Sequence, residues 1–127
     1  MKNNNWEIFS AGTRSADAKI TFTKTKYIRF NSEFIRKNNF KDKNYVRVYI
    51  KEDEEKFFIG FEFLKTKEDR TLKLGKGKKS DLMYCSGSSL FSRINLSVKK
   101  MEKSMNFSPI EEKLEDKRLF TIKVLKS

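Results

Sequence analysis

A few stretches of the chain carry residue types that chemistry can use. Gly75-Lys76-Gly77-Lys78-Lys79-Ser80 sets glycines beside lysines and a hydroxyl, the raw material of a phosphate loop. Its spacing does not make one. A P-loop separates its first glycine from Gly-Lys-Ser/Thr by four residues, so that successive backbone N–H groups wrap the phosphates. Ser86, Ser88 and Ser89 flank Gly87 and offer hydroxyl nucleophiles, but the chain has no histidine to take their protons. Cys85 has no neighbouring His or Lys to lower its pKa and reads as a buried filler. Carboxylates gather at 52–55 and 111–116, beside lysines, and read as solvated turn charges. One cysteine and no histidine leave neither a disulfide nor a zinc site. Catalysis, a metal and a cofactor are not expected.

The cations are a different matter. Lys and Arg number 29 against 17 Asp and Glu, a net charge of +12. Such a field favours polyanions: nucleic acid first, then an anionic membrane, then an acidic protein. A lysine-rich proteome accounts for abundant lysine but less well for so large an excess over acids. Aromatic rings interleave with the cations, Tyr27 by Arg29, Tyr45 and Tyr49 around Arg47, and Phe91 by Arg93. Lysines neutralise phosphates and outward rings stack on unpaired bases; at any single tyrosine, a ring half packed on an amphipathic strand is the plainer alternative. The candidate nucleic-acid ligands are Lys24, Lys26, Arg29, Arg47, Lys73, Lys76, Lys78, Lys79 and Arg93, with DNA the expected target.

Something must position them. At 127 residues the chain is one domain, with 37% hydrophobic residues and much of its apolar mass in 12 Phe. Residues 1–16 read as a tether anchored by Trp6, Ile8 and Phe9. Residues 19–30 alternate as a hairpin, with Ile20 and Phe22 sharing one face of their strand and Ile28 and Phe30 sharing one face of theirs. Asn31 is a strong helix N-cap, Glu33 suits the first turn, and a helix is predicted over 32–38, closed by a left-handed turn at Asn38-Asn39. Val46, Val48 and Ile50 pair as a hairpin with Phe57, Ile59, Phe61 and Phe63. Phe58 and Leu64 interrupt the polar alternation on the other face, so part of that face is expected to be covered. Residues 65–80 read as a mobile basic linker, with a short strand around Leu72 and Leu74. Beyond it, strands are predicted at 82–85 and 91–96, and a helix from Ser97 through Val98, Met101 and Met105. Strands follow at 110–114 and through Phe120, Ile122 and Val124.

The halves 17–64 and 81–125 align as strand, capped helix, strand, charged turn, strand. Tyr27 to Asn31 falls on Arg93 to Ser97, and Ile35 on Met101. One such half is too small to hide its own strand faces. The expected fold is therefore α+β: a β-rich pseudo-symmetric barrel or sandwich of two ββαββ-like halves with two short helices. The run Tyr27-Ile28-Arg29-Phe30-Asn31-Ser32-Glu33-Phe34-Ile35, then Phe40 to Tyr49, then Ile59-Gly60-Phe61, resembles the swapped-hairpin pattern of the AbrB, SpoVT and MazE families. Asn31 stands where those families usually have Pro, and Lys43-Asn44 where they have Gly-Asp. The resemblance implies an intertwined barrel, DNA binding through basic strand and loop residues, and a regulatory or antitoxin role. By it, Lys24, Lys26, Arg29 and Arg93 would contact DNA, with one chain supplying both halves of what is otherwise a dimer.

Met1 to Trp6 has no apolar core of a signal peptide, and no apolar run approaches the ~20 residues of a membrane span. A cytoplasmic monomer or homodimer with no membrane partner is expected. A second class of function fits the same composition: a phage or mobile-element inhibitor that docks on a host protein or ribonucleoprotein. It would use Trp6, Phe9 and the basic loop.

Overall fold

Alternation of large apolar and polar residues builds most of this chain. Strands β1 (Ile20–Phe22) and β2 (Tyr27–Phe30) form the first hairpin, and helix α1 (Ser32–Asn38) follows. β3 (Tyr45–Glu52) and β4 (Lys56–Leu64) form the second hairpin. Next come β5 (Thr71–Lys73), β6 (Gly75–Lys76), β7 (Met83–Ser86), helix α2 (Ser88–Arg93), β8 (Met105–Phe107), β9 (Ile110–Leu114) and β10 (Lys117–Leu125). These elements come from a computed structural model that describes residues 17–97, 101 and 103–126. Among them no helix is long and apolar enough to cross a membrane.

The strands assemble into two five-stranded sheets, in the orders β6-β7-β2-β1-β8 (sheet I) and β5-β3-β4-β10-β9 (sheet II). Every strand pair is antiparallel. The sheets do not close into a barrel. They share one core, in which Ile20, Phe22, Ile28 and Phe30 of sheet I meet Val46, Ile59, Phe61 and Ile122 of sheet II. Each such residue, taken fully out of water, contributes about 1.5–3 kcal/mol. The Phe30 ring sits 5.3 Å from Phe61 and 4.9 Å from Phe63, edge to face. α1 joins the same cluster through Phe34, 5.0 Å from Phe120, and the following turn adds Phe40, stacked 4.6 Å from Phe63.

α1 forms where its cap residue predicts. The Asn31 carboxamide oxygen accepts from the Phe34 N–H at 2.9 Å and from the Lys19 N–H at 3.0 Å, while its NH2 donates to the Asp17 carbonyl at 2.8 Å. One side chain thus caps the helix and ties it to the start of β1. Asn39 takes the left-handed conformation (φ 58°) and closes the helix.

Several expectations are corrected. Residues 91–96 are not a strand. Leu90, Phe91 and Ile94 are all buried, a spacing of three and four that marks one helical face, and Ser88–Arg93 is α2. Met105 lies in β8 opposite Phe22 rather than in a helix; most of the predicted helix, at 98–100 and 102, lies outside the described residues, as does the tether at 1–16. The segment 65–80 carries the short strand expected around Leu72 as β5, beside β3, and a further one, β6, beside β7 in the other sheet. Leu74 is buried between them, so the segment is built into both sheets and is not a linker. The duplication is not seen in the order of elements. The first half runs strand, strand, helix, strand, strand, and the second strand, helix, strand, strand, strand.

Asn31→Ala removes the cap and leaves two N–H groups without their acceptor. It is expected to destabilise the protein by about 1–2 kcal/mol in urea melts. Asn31→Asp, which keeps the acceptor oxygen, should recover most of that loss.

Candidate nucleic-acid interface

The face of sheet I turned away from the core holds the first candidate cations. β2 alternates exposed and buried, which sends Tyr27 and Arg29 outward; β7 does the same for Tyr84 and Ser86. Antiparallel register sets Arg29 opposite Tyr84 and Tyr27 opposite Ser86. The two tyrosine rings lie edge to face with centroids 5.8 Å apart, 46% and 38% exposed. Gly75 of β6 pairs with Tyr84, and a Cβ at position 75 would collide with the Tyr84 ring. Gly75, within the segment read from the sequence as a basic linker, is the floor on which this ring lies. On the other side of Arg29, Thr21 donates its hydroxyl to the Asn106 carboxamide oxygen at 2.6 Å. A row of residues turned away from the core, Gly75, Tyr84, Arg29, Thr21 and Asn106, thus crosses all five strands, with Thr21 buried within it.

Arg29 differs from the other described arginines. Arg36, Arg47, Arg70, Arg93 and Arg118 each have a carboxylate within 4 Å; Arg29, which is exposed, has none among the described residues. Its charge faces solvent on the same face as Tyr27 and opposite Tyr84 across the strand pair.

Cations stand at both ends of this strand pair. At one end is the β1–β2 turn with Lys24 and Lys26. It is held by the Thr23 N–H to the Tyr27 carbonyl (2.9 Å) and by left-handed Lys26 (φ 68°), a conformation that disfavours a side chain. The Lys26 carbonyl accepts from the Gly87 N–H at 2.8 Å, which fastens the turn to the start of α2. At the other end is the β6–β7 turn, closed by the Gly77 N–H to the Leu82 carbonyl, with Lys78 and Lys79 exposed. There the Lys76 amine donates to the Lys41 carbonyl at 3.0 Å, and Asp81 draws in Lys41 (3.6 Å) and Arg36 (3.5 Å). Arg36, Lys41 and Tyr84 were not among the sequence candidates. Tyr84 was detectable as the exposed member of an alternating strand; Arg36 and Lys41 reach the turn only through the tertiary fold.

The remaining candidates lie elsewhere. Arg47 projects from the outer face of sheet II, where it donates to Glu62 and Glu68 at 3.1 Å and to the Asp69 carbonyl at 3.0 and 3.1 Å. Tyr49 donates to the same Glu62 oxygen at 2.7 Å. That guanidinium holds β3 to the segment before β5 and is not offered to a ligand. Lys73 is exposed on edge strand β5, opposite Tyr45. Arg93 ends α2 and lies 3.9 Å from Glu52. Cys85 faces the core behind Tyr84, and burial pushes its thiol up to about 12, so it stays protonated and unreactive.

Comparison with known proteins adds no relative: no family model, no curated protein and no solved structure matches the chain.

Arg47→Ala is expected to lower the melting temperature and leave oligonucleotide affinity unchanged, whereas Arg29→Ala should do the reverse; anisotropy titrations paired with thermal melts separate the two. Cys85 should resist alkylation in mildly alkaline buffer until denaturant is added, and prompt labelling of the native protein would contradict its placement.

Proposed function

We propose that the chain is a nucleic-acid-binding protein that holds its target on the outer face of sheet I. The observation that carries this reading is the exposed Tyr27–Tyr84 pair with Arg29 beside it on β2, without a carboxylate within 4 Å among the described residues, flanked by cations at both ends. The arrangement forms a track. Lys24 and Lys26 lie at one end; Lys76, Lys78, Lys79, Arg36 and Lys41 lie at the other, a four-residue strand or about 13 Å away. Cations at each end meet phosphates, and the rings between them present stacking surfaces to bases. The net charge of +12 draws the polyanion in. Stacking on an open sheet face favours unpaired bases, because paired bases keep their faces covered. The resemblance to swapped-hairpin regulators favours DNA and a regulatory role.

Docking on a host protein or ribonucleoprotein is the second reading. Its support is apolar: Ile110, Leu114 and Leu125 are 58%, 45% and 77% exposed on the last hairpin.

Anisotropy titrations with single-stranded and duplex oligonucleotides at two salt concentrations decide between them. Binding should weaken steeply with salt. Reversing the charge of Lys76, Lys78 and Lys79 together should weaken binding to all sequences about equally, since phosphate contacts carry no sequence information. Replacing Tyr27 and Tyr84 together by Ala should cost about tenfold or more on single strands and little on duplex. No binding to bare nucleic acid at low salt would transfer the weight to protein docking.

A further inference from the structure

Sheet II has an outer face of its own, and its register gathers like charges there. On that face Lys51 of β3 and Lys123 of β10 stand directly opposite Phe58 of β4, one on each side, and Lys56 precedes Phe58 by two residues on the same strand. All of these ammonium groups reach the Phe58 ring, at 5.1 Å (Lys51), 5.5 Å (Lys56) and 6.0 Å (Lys123) from its centroid. None of them has a carboxylate within 4 Å among the described residues; every ion pair there involves other lysines or arginines. A ring face attracts a cation, but cations sharing one ring repel one another; solvent screens that repulsion and a bound anion relieves it further.

The next row on the same face is a gap. Gly60 lies between Tyr49 and Thr121, so no side chain rises from the middle of the sheet. A Cβ there would press on Leu119 at 3.2 Å. The gap opens into a cleft of about 310 Å³ over Gly60, Leu119 and Phe58, with Glu112 and Leu114 of β9 on its far side. The cleft therefore has an apolar floor, a cationic end at Lys51, with Lys56 and Lys123 sharing the Phe58 ring beyond its lining, and a hydrogen-bonding end at Thr121 and Glu112, beside which Lys113 also lines it. Its volume suits one small aromatic ligand. Neighbouring rows on one face are roughly 7 Å apart along a strand, about the reach from a nucleobase across its sugar to the 5′-phosphate.

We propose that this cleft binds a single nucleotide, with the base over Gly60 and Leu119 against the edge of Phe58 and the phosphate among Lys51, Lys56 and Lys123. The polarity follows from charge. At the far end Lys113 stands beside Glu112, which repels a phosphate and accepts from an exocyclic amine, whereas Lys51, Lys56 and Lys123 gather at Phe58 with no carboxylate within 4 Å among the described residues; the base takes the Glu112 end and the phosphate the Phe58 end. The ligand is either a free nucleotide or the 5′-phosphorylated end of a strand, which share this chemistry. The site lies on the opposite sheet from Tyr27 and Tyr84 and does not depend on them.

The test is a heteronuclear NMR titration of the full chain with adenosine 5′-monophosphate, adenosine, inorganic phosphate, and a short single strand with and without a 5′-phosphate. Adenosine monophosphate should bind saturably and shift amides around Lys51, Phe58, Gly60, Glu112 and Thr121, with adenosine and phosphate each at least tenfold weaker. Tighter binding of the free nucleotide or of the phosphorylated strand end identifies the source, and either supports the site. The double change Lys51→Gln and Lys123→Gln, both on the surface, should weaken binding at least tenfold. Replacing Tyr27 and Tyr84 should leave it unchanged, so this site and the sheet I interface stand or fall separately. Scattered or unsaturable shifts, equal binding of phosphate alone, or full affinity in the Lys51/Lys123 variant would overturn the proposal.

Discussion

The cluster of Phe30, Phe34, Phe40, Phe63 and Phe120 is the contact on which the rest of this molecule depends. It draws one ring from sheet I, one from α1, one from the turn after it and two from sheet II into mutual contact at 4.6–6.2 Å. Ile20, Phe22, Ile28, Val46, Ile59, Phe61 and Ile122 extend the same core between the sheets. Once these rings meet, the inner face of every strand that supplies one is fixed, and period-two geometry fixes its outer face. That is how a core of phenylalanines determines that Tyr27, Arg29 and Tyr84 face solvent. It determines equally that Lys51, Phe58 and Lys123 share the opposite surface.

The charges divide by what the fold gives them as partners. Arginine supplies most of the structural ion pairs. Arg47 holds the Glu62, Glu68 and Asp69 network, and Arg118 forks onto Glu111 at 2.8 and 3.2 Å while lying over the Phe40 and Phe120 rings. A planar guanidinium suits both uses. Lysine supplies most of the remaining positive surface, a compact charge on a flexible stem that meets phosphate without fixed geometry. Arg29 is the exception, an arginine without a carboxylate within 4 Å among the described residues, on a face that also carries exposed rings. The net charge therefore matters less than its sorting.

Much of the fold was legible in the chain. The first two hairpins, the last strand, and α1 with both of its caps follow from alternation and from Asn31 and Asn39, signals carried within a few residues. α2 was misread because Ile94 and Leu96 also fit a strand, while the buried set Leu90, Phe91 and Ile94 fits a helix; which pattern governs depends on what packs against it. β5 is the short strand expected around Leu72, whereas β6 was hidden because a strand of two residues has almost no pattern of its own. It exists because a neighbour offers a free edge. The apparent repeat rested on local likeness between Tyr27–Asn31 and Arg93–Ser97, and one of these is a strand while the other follows a helix.

By itself, then, the sequence determined the element types with strong local periodicity, the excess of positive charge, and the lack of a histidine for acid–base chemistry. The tertiary structure decided which cations are available. Arg47 is tied to a carboxylate fifteen residues away, Arg36 and Lys41 meet Asp81 across at least forty, and Arg118 donates to Asn38 from eighty positions on. Electrostatic partnership depends on distance in space, and no local pattern of residues encodes which distant carboxylate the packing of phenylalanines will bring alongside.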